Sequence, residues 1–144
     1  MNADVPDEAL NSLSHAVIGA AIEVHRRLGP GLLESVYRRC LAHELRKRGH
    51  TAQEEHPVTV IYDDLILENA FRADVFVDER LIVEVKAKRE LHPIDFVQTT
   101  SYLRLMNLRL GLIVNFHVRK LTDGVHRIIN GYDCAPPDDT PQST

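Results

Sequence analysis

The hydrophobic pattern of the first third of the chain predicts two helices. Apolar residues recur at three- and four-residue spacing from residue 11 or 12 to residue 28, where Gly29 and Pro30 end the repeat. Glycine accepts a left-handed cap and proline cannot continue a helix. A second helix is predicted over about residues 32–48. Its apolar stripe consists of Leu33, Val36, Tyr37, Cys40, Leu41 and Leu45.

The spacing then changes to the two-residue alternation of β-strands. Val58, Val60 and Tyr62 occupy every second position, and Asp63-Asp64 marks a turn. We predict a second strand over residues 65–77 and, after a further polar turn, a third strand over residues 81–87. Both faces of this third strand carry apolar side chains, which indicates a central strand covered on both sides.

The remaining pattern completes a sheet with helices before and after it. A third helix is predicted from Pro93 to about Asn107, followed by a short, apolar, buried strand over residues 110–116. Val125–Ile129 is predicted to be a last edge strand, and its exposed edge could support a homodimer. The resulting order, α-α-β-β-β-α-β with one further strand, indicates an α/β or α+β sandwich.

Composition adds boundaries to this picture. A length of 144 residues indicates one domain. We predict a flexible N-terminus over residues 1–10, a folded domain over residues 11–132, and a disordered acidic and Pro-rich tail over residues 133–144. Neither a membrane span nor a secretory signal is evident, and Cys40 and Cys134 do not suggest a disulfide framework. We therefore predict a cytoplasmic protein without membrane attachment.

The net charge of −4 is concentrated at the two ends of the chain. Residues 1–10 and 133–144 carry six acids and no Lys or Arg. Without these six, 15 acids stand against 17 bases, so the predicted domain carries about +2. A mildly basic domain permits phosphate binding without demonstrating it.

Three charged residues around the second polar turn could perform chemistry. Asp74 lies on the second strand, and Glu84 and Lys86 lie two residues apart on the third, so their side chains leave the same face. A simple antiparallel register across the turn places residue 84 near residue 74 or 75. Two neighbouring carboxylates repel each other unless a cation binds them, and Mg²⁺ commonly binds one or two carboxylates together with water. The lysine could then assist phosphodiester hydrolysis.

The same residues have a simpler explanation. A Glu-x-Lys pair on a strand commonly forms only a solvated charged face, and Asp favours strand ends. Glu34, a second acidic candidate, is also explained by its place in a first helical turn and by pairing with Arg38 four residues on. Gln98 and Tyr102 share a face of the third helix, which an amphipathic helix with a core tyrosine would also give. The eight histidines lack zinc-site spacing, and no phosphate-binding glycine loop is present.

Several segments together resemble a known protein family. Residues 31–37, Gly-Leu-Leu-Glu-Ser-Val-Tyr, resemble the signature that names the GxxExxY proteins. The resemblance extends over roughly residues 12–130. It includes residues 18–25, 28–31, 71–74, 82–87 and 110–116. The GxxExxY family is placed in the PD-(D/E)xK nuclease superfamily, so the chain is similar to a nuclease.

The resemblance implies a fold and a set of residue roles. The expected fold is restriction-endonuclease-like, an α/β class with a mixed central sheet flanked by helices. Asp74 and Glu84 correspond to the motif's two acids and Lys86 to its lysine. Glu34 corresponds to a helical acid that joins the metal site in many members, and Gln98 to the glutamine of the Q-x-x-x-Y element of the RecB-like branch. Ala73 stands where the superfamily's name has proline, a position that carries no ligand.

These correspondences give the functional expectation. A metal-dependent nuclease-like phosphodiesterase would bind Mg²⁺ or Mn²⁺ through Asp74 and Glu84, with Glu34 completing the metal shell or holding its water. Lys86 would assist the nucleophile, and Gln98 would position Lys86 or the substrate. Nucleic acid is the expected substrate, with DNA favoured over RNA. The alternative is a catalytically silent module of the same fold that binds nucleic acid or a protein partner.

Overall fold

The computed structural model of the protein describes residues 7–131, which form three helices and five strands. In chain order the elements are α1 (Glu8–Leu28), α2 (Glu34–Lys47), β1 (Ala52–Tyr62), β2 (Leu65–Val77), β3 (Leu81–Lys86), α3 (Pro93–Met106), β4 (Leu110–Asn115), a 3₁₀ turn (Leu121–Gly124) and β5 (Val125–Ile129). The predicted order of helices and strands is therefore confirmed.

The five strands form one mixed sheet in the order β1-β2-β3-β4-β5. The β1–β2, β2–β3 and β4–β5 pairs are antiparallel hairpins or near neighbours in sequence. Because α3 returns the chain across the sheet, β4 pairs parallel to β3. This mixed sheet flanked by helices confirms the predicted restriction-endonuclease-like α/β class.

Helices cover both faces of the sheet, and β3 contributes to both cores. Leu81, Val83 and Val85 pack in the larger core with α1, α2 and alternate residues of β4. Ile82 packs in the smaller core on the opposite face, against Leu103 of α3. All five residues from 81 to 85 are buried, as expected for a central strand covered on both sides. This burial gives the end of β3 a rigid support.

The first helix begins earlier than predicted, and its buried apolar face extends back to Leu10. The predicted start at residue 11 or 12 is wrong, because α1 begins at Glu8. Asp7 is its N-cap, and its Oδ1 accepts a hydrogen bond of 2.7 Å from the backbone N–H of Leu10. Residues 1–6 of the predicted flexible N-terminus, and the whole predicted tail at 133–144, lie outside the described residues.

The buried face of α2 is rotated from its predicted stripe. Tyr37, Leu41 and Leu45 are fully buried as expected, but Leu33 and Val36 are exposed. Leu33 precedes the helix as its N-cap residue, and Val36 lies on the side of α2 that borders a groove against α1. The spacing of apolar residues along α2 does not show which of them the neighbouring helix covers.

The β1–β2 hairpin extends beyond both cores. Residues 61–70 are all exposed, and β3 pairs with β2 only through residues 75–77. Across the described residues, none of the helices combines the length and apolar character of a membrane span.

Candidate active site

The β2–β3 turn brings the two predicted acids opposite each other. Val77 pairs with Leu81 and Val75 with Val83, so the next position along the register places residue 74 across from residue 84. The turn is closed by Asp78 and Glu79, whose φ values of 51° and 54° lie in the left-handed region. The register predicted from the position of this turn is confirmed.

The carboxylates of Asp74 and Glu84 take the place of backbone pairing at this point of the sheet. The backbone N–H of Asp74 donates to Glu84 Oε2 over 3.0 Å. In return, the backbone N–H of Val85 donates to Asp74 Oδ2 over 2.8 Å. Each acid is therefore held by the strand that carries the other, and both carboxylates are fixed where β2 and β3 begin to separate.

Burial makes this pair of acids costly to ionise. Glu84 is only 4% exposed and Asp74 is partly buried. Loss of solvent, and secondarily the charge of Asp74, raises the pKa of Glu84 to about 8. Burial also raises the pKa of Asp74, against the lowering effect of the hydrogen bond from Val85. Oxygen ligands under such repulsion are the chemistry that a hard divalent cation would relieve.

Lys86 lies on the same face of β3 as Glu84, and its ammonium group is held by an acid of α3. Lys86 Nζ lies 3.7 Å from Asp95 Oδ1. Its positive charge lowers the pKa of both Asp74 and Glu84. The structure therefore brings Asp74, Glu84 and Lys86 together at the end of the β2–β3 hairpin.

Asp95 is a site residue that the sequence did not reveal. It is 5% exposed, and Lys88 Nζ also lies 2.9 Å from its carboxylate. Its Oδ2 accepts a 2.8 Å hydrogen bond from the backbone N–H of His92, which forms a capping box at the start of α3. Burial tends to raise the pKa of Asp95, but the hydrogen bonds from His92 and Lys88 outweigh it and lower the pKa. The contact of Asp95 with Lys86 depends on the tertiary packing of α3 beside β3.

Glu34 is the first residue of α2 and lies close enough to Asp74 and Glu84 for its charge to act on both carboxylates. It is exposed, and its negative charge contributes to raising the pKa of both Asp74 and Glu84. Arg38 does not serve as its partner but pairs with Glu54 at 3.4 Å and Glu55 at 3.8 Å. Within residues 7–131, no three His, Cys, Asp or Glu side chains come together as a ready-made metal cluster.

Tyr37 fixes the loop from which α2 and Glu34 begin. Its hydroxyl donates to the carbonyl of Gly29 over 2.5 Å and accepts from the backbone N–H of Leu32 over 3.1 Å. Its ring stacks on Phe116 with centroids 4.5 Å apart. These contacts make Tyr37 a structural support of the loop.

Comparison with known families decides the relationship of this chain. A model of the PD-(D/E)XK nuclease superfamily matches residues 11–128. The chain belongs to the PD-(D/E)XK nuclease superfamily. Neither the curated proteins nor the solved structures gave a match. Membership suggests nuclease-like phosphodiesterase activity on nucleic acid, and PD-(D/E)XK nucleases generally use divalent metals.

The remaining PD-(D/E)XK candidates lie on α3, and the structure treats them differently. Tyr102 is buried and stacks on Phe71 with centroids 4.3 Å apart. It packs in the smaller core with Ala73 and Ile82, and burial, followed by the charges of Glu84 and Asp74, raises the pKa of its hydroxyl. Gln98 is exposed on the same helix, and no hydrogen bond joins it to the other candidates within the described part of the chain. Its predicted role stays a prediction.

Proposed function

We propose that this protein is a metal-dependent nuclease that hydrolyses phosphodiester bonds in nucleic acid, with DNA as the first candidate substrate and RNA as the second. The observation that carries the proposal is the pair of buried carboxylates on Asp74 and Glu84, each held by the opposite strand and next to Lys86. A structural ion pair would not require two acids to share a desolvated site.

The donor set fits Mg²⁺ or Mn²⁺. Asp74 and Glu84 would hold the ion directly, since hard cations take carboxylate oxygens and fill the remaining positions with water and substrate phosphate. Glu34, which lies near but not against the pair, would accept a hydrogen bond from a water at the site. A bound divalent ion would stabilise charge on the phosphoryl oxygens and make water a better nucleophile.

The chain's own residues would orient the reaction around that ion. Asp95 holds the Lys86 ammonium close to the carboxylates, where it can donate a hydrogen bond to the attacking water or to a phosphate oxygen. Gln98 would position Lys86 or the substrate after a change of rotamer, because its side chain is exposed on α3 and forms no hydrogen bond within residues 7–131.

Within the superfamily we propose the GxxExxY family and the RecB-like branch. The support is the signature at residues 31–37 and the Q-x-x-x-Y spacing of Gln98 and Tyr102. The stacking of Tyr37 on Phe116 gives the tyrosine of the signature a physical reason. The cytoplasmic location and the homodimer through the β5 edge stay predictions from the sequence.

A cleavage assay tests the proposed activity. Single- and double-stranded DNA and RNA would be incubated with the protein in Mn²⁺, in Mg²⁺ and in chelator. We expect metal-dependent cleavage that falls at least about 100-fold in Lys86→Ala, the order of effect of losing a positioned catalytic group. Lys120→Ala is the matched control, because Lys120 is exposed and precedes the 3₁₀ turn.

Two results would contradict the proposal. Cleavage that is equal in the Lys86→Ala protein would show that the activity does not come from this site. A complete lack of cleavage on every substrate, with metal binding intact, would favour the catalytically silent nuclease-fold module instead.

A further inference from the structure

The far end of the β1–β2 hairpin, residues 59–70, is an exposed two-stranded ribbon that we call the arm. Its cross-strand pairs are Val60–Leu67, Ile61–Ile66 and Tyr62–Leu65. Side chains alternate between the faces of a strand pair, so these pairs divide into two faces. One face carries Val60, Tyr62, Leu65 and Leu67, and the other carries Ile61 and Ile66.

The large apolar side chains of the arm are exposed to solvent. Tyr62 is 70% exposed, Ile61 68% and Ile66 58%. Leu65 and Leu67 are 52% and 44% exposed, so both faces of the arm present apolar side chains to solvent. An isolated two-stranded hairpin is marginally stable in water and usually needs a further strand or a packed surface. The arm therefore has the composition of a surface that is covered in the working protein.

Charge argues against nucleic acid as the cover. The arm carries Asp63, Asp64 and Glu68 and no Lys or Arg. Nucleic-acid binding gains its affinity mainly from neutralising phosphates, which three acids oppose. Two arms packed face to face would collect six acids in one contact, which is unfavourable for the same electrostatic reason. The complementary surface should be apolar and basic.

Such a surface lies on this chain, in the groove between α1 and α2. The groove encloses about 590 Å³ and is lined by apolar Val24, Leu28 and Val36. Its basic side chains are Arg27, Arg39 and Arg46, of which Arg27 pairs with Glu23 and Arg46 with Glu54. Leu28 of α1 and Val36 of α2 are 38% and 37% exposed. Val36 was predicted to be part of the apolar stripe of α2, and it lines this groove instead of the core.

The acids that also line the groove are already neutralised. Glu44 pairs with Lys47 and Arg48, and Glu54 with Arg38 and Arg46. Arg39 is exposed and forms no ion pair within the described part of the chain. The groove thus offers apolar contact and a free cation to an acidic, apolar segment.

We infer that the arm of one copy of this chain docks into the α1–α2 groove of a second copy, and that the exchange is reciprocal. Each copy then buries both its arm and its groove, which raises the buried area toward the roughly 800 Å² per partner of a standard interface. A reciprocal contact of two unlike patches closes into a two-fold dimer. The inference is independent of the proposed nuclease activity.

The experiment measures dimer dissociation by sedimentation of the full chain and its variants over a range of concentrations. We expect the wild type to sediment at twice its 16.3 kDa mass. Leu65→Thr/Leu67→Thr should raise the dissociation constant by at least roughly 100-fold, because two large apolar side chains lose their burial at each of the two reciprocal contacts. Threonine keeps the β-propensity of the strands, and circular dichroism would verify that the arm variant folds.

Charge reversal tests the docking partner on the groove side. Asp64→Lys/Glu68→Lys in the arm and Arg39→Glu in the groove should each weaken the dimer when tested alone. Mixing the two variant chains should restore dimers, because the reversed arm then meets a reversed groove. This rescue would be expected only if the arm and the groove contact each other.

Ile129→Thr is the matched control, because Ile129 is 43% exposed on the edge strand β5, the dimer edge predicted from the sequence. It should leave the dissociation constant unchanged. A wild type that stays monomeric at all concentrations overturns the inference. So does a dimer that survives the arm and groove variants, or one that Ile129→Thr dissociates.

Discussion

The pKa values of Asp74 and Glu84 are raised because the two carboxylates are held together in a site with little solvent. Each carboxylate accepts a backbone N–H from the strand of the other, so neither can swing away to separate the charges. Loss of solvent raises the pKa of Glu84 to about 8. At the scale of single residues, burial and, secondarily, the neighbouring acid make it unfavourable to ionise Glu84, and a bound cation would offset that cost.

The raised pKa of Glu84 predicts that the stability of the metal-free protein depends on pH. The folded-state pKa of Glu84, about 8, lies above its ordinary value of 4.5, so the folded protein keeps a proton that the unfolded chain releases. The contribution of Glu84 to the free energy of unfolding is therefore present in full below pH 4.5 and is lost as the pH rises toward 8. Glu84 alone should contribute a slope of at most about 1.4 kcal/mol per pH unit, the value for one proton, and the raised pKa of Asp74 adds to it in the same direction.

Urea denaturation in chelator at several pH values measures this slope. Glu84→Gln should flatten it over the same window and should make the metal-free protein more stable than the wild type at the upper end. Equal slopes for the two proteins would show that Glu84 titrates normally and that the acids do not repel each other.

Asp95 predicts a second effect at the residue scale. Asp95→Asn keeps an oxygen that can accept from the backbone N–H of His92 but removes the charge that holds the Lys86 ammonium. We expect cleavage to fall roughly tenfold to 100-fold, as for a displaced catalytic group, with the affinity for Mn²⁺ little changed.

Lys88→Gln is the control for Asp95→Asn. It removes the other cation on the same carboxylate and leaves the Lys86–Asp95 pair in place. Comparable losses of cleavage in the two variants would mean that Asp95 acts through general stability and does not position Lys86.

Among the elements, the loop before α2 decides where Glu34 lies. The Gly29 carbonyl and the Leu32 N–H are both bonded to one hydroxyl, that of Tyr37, whose ring is stacked on Phe116 at the end of β4. Gly31 in this loop has φ 103°, a conformation that favours glycine. The spacing of Gly31, Glu34 and Tyr37 therefore has a structural reason. Gly31 adopts the backbone conformation that the loop requires, and the hydroxyl of Tyr37 anchors the loop, so that Glu34 lies between two fixed points.

Tyr37→Phe tests this anchor. The phenylalanine keeps the stack on Phe116 and loses both hydrogen bonds, so we expect the free energy of unfolding to fall by about 1–2 kcal/mol. Tyr62→Phe, on the exposed arm, is the matched control and should change stability by only a few tenths of a kcal/mol. If both changes have the same effect in urea denaturation, the hydroxyl of Tyr37 does not hold the loop.

The elements also show which parts of the structure a sequence can predict. The pairing of residue 74 with residue 84 followed from the position of a short turn, because register is local in a hairpin. The predicted start of α1 was wrong because Leu10, which is buried three residues before Leu13, and the N-cap Asp7 were assigned to a flexible N-terminus. The contact of Asp95 with Lys86 could not be predicted, because it joins α3 to β3 through tertiary packing.

At the scale of the whole molecule, the sheet serves the site through its two unequal cores. The larger core fixes one face of β3 against α1 and α2, and the smaller core fixes the other against α3. The acid pair lies at the end of this doubly covered strand, so its geometry is set by the most rigid part of the fold. The arm extends away from both cores. The sequence predicted two strands joined by the turn at Asp63-Asp64, and only the structure shows that both faces of this hairpin end are exposed.

The measurement that tests the central claim most directly is the thermal stability of the protein with and without Mn²⁺, for the wild type, Asp74→Ala and Asp123→Ala. The last is a control, because Asp123 is an exposed acid in the 3₁₀ turn. Ion at 100 times its dissociation constant should stabilise the wild type and the control by about 2.7 kcal/mol and leave Asp74→Ala unaffected. Equal stabilisation of all three proteins, or of none, would contradict the assignment of Asp74 and Glu84 as a metal site.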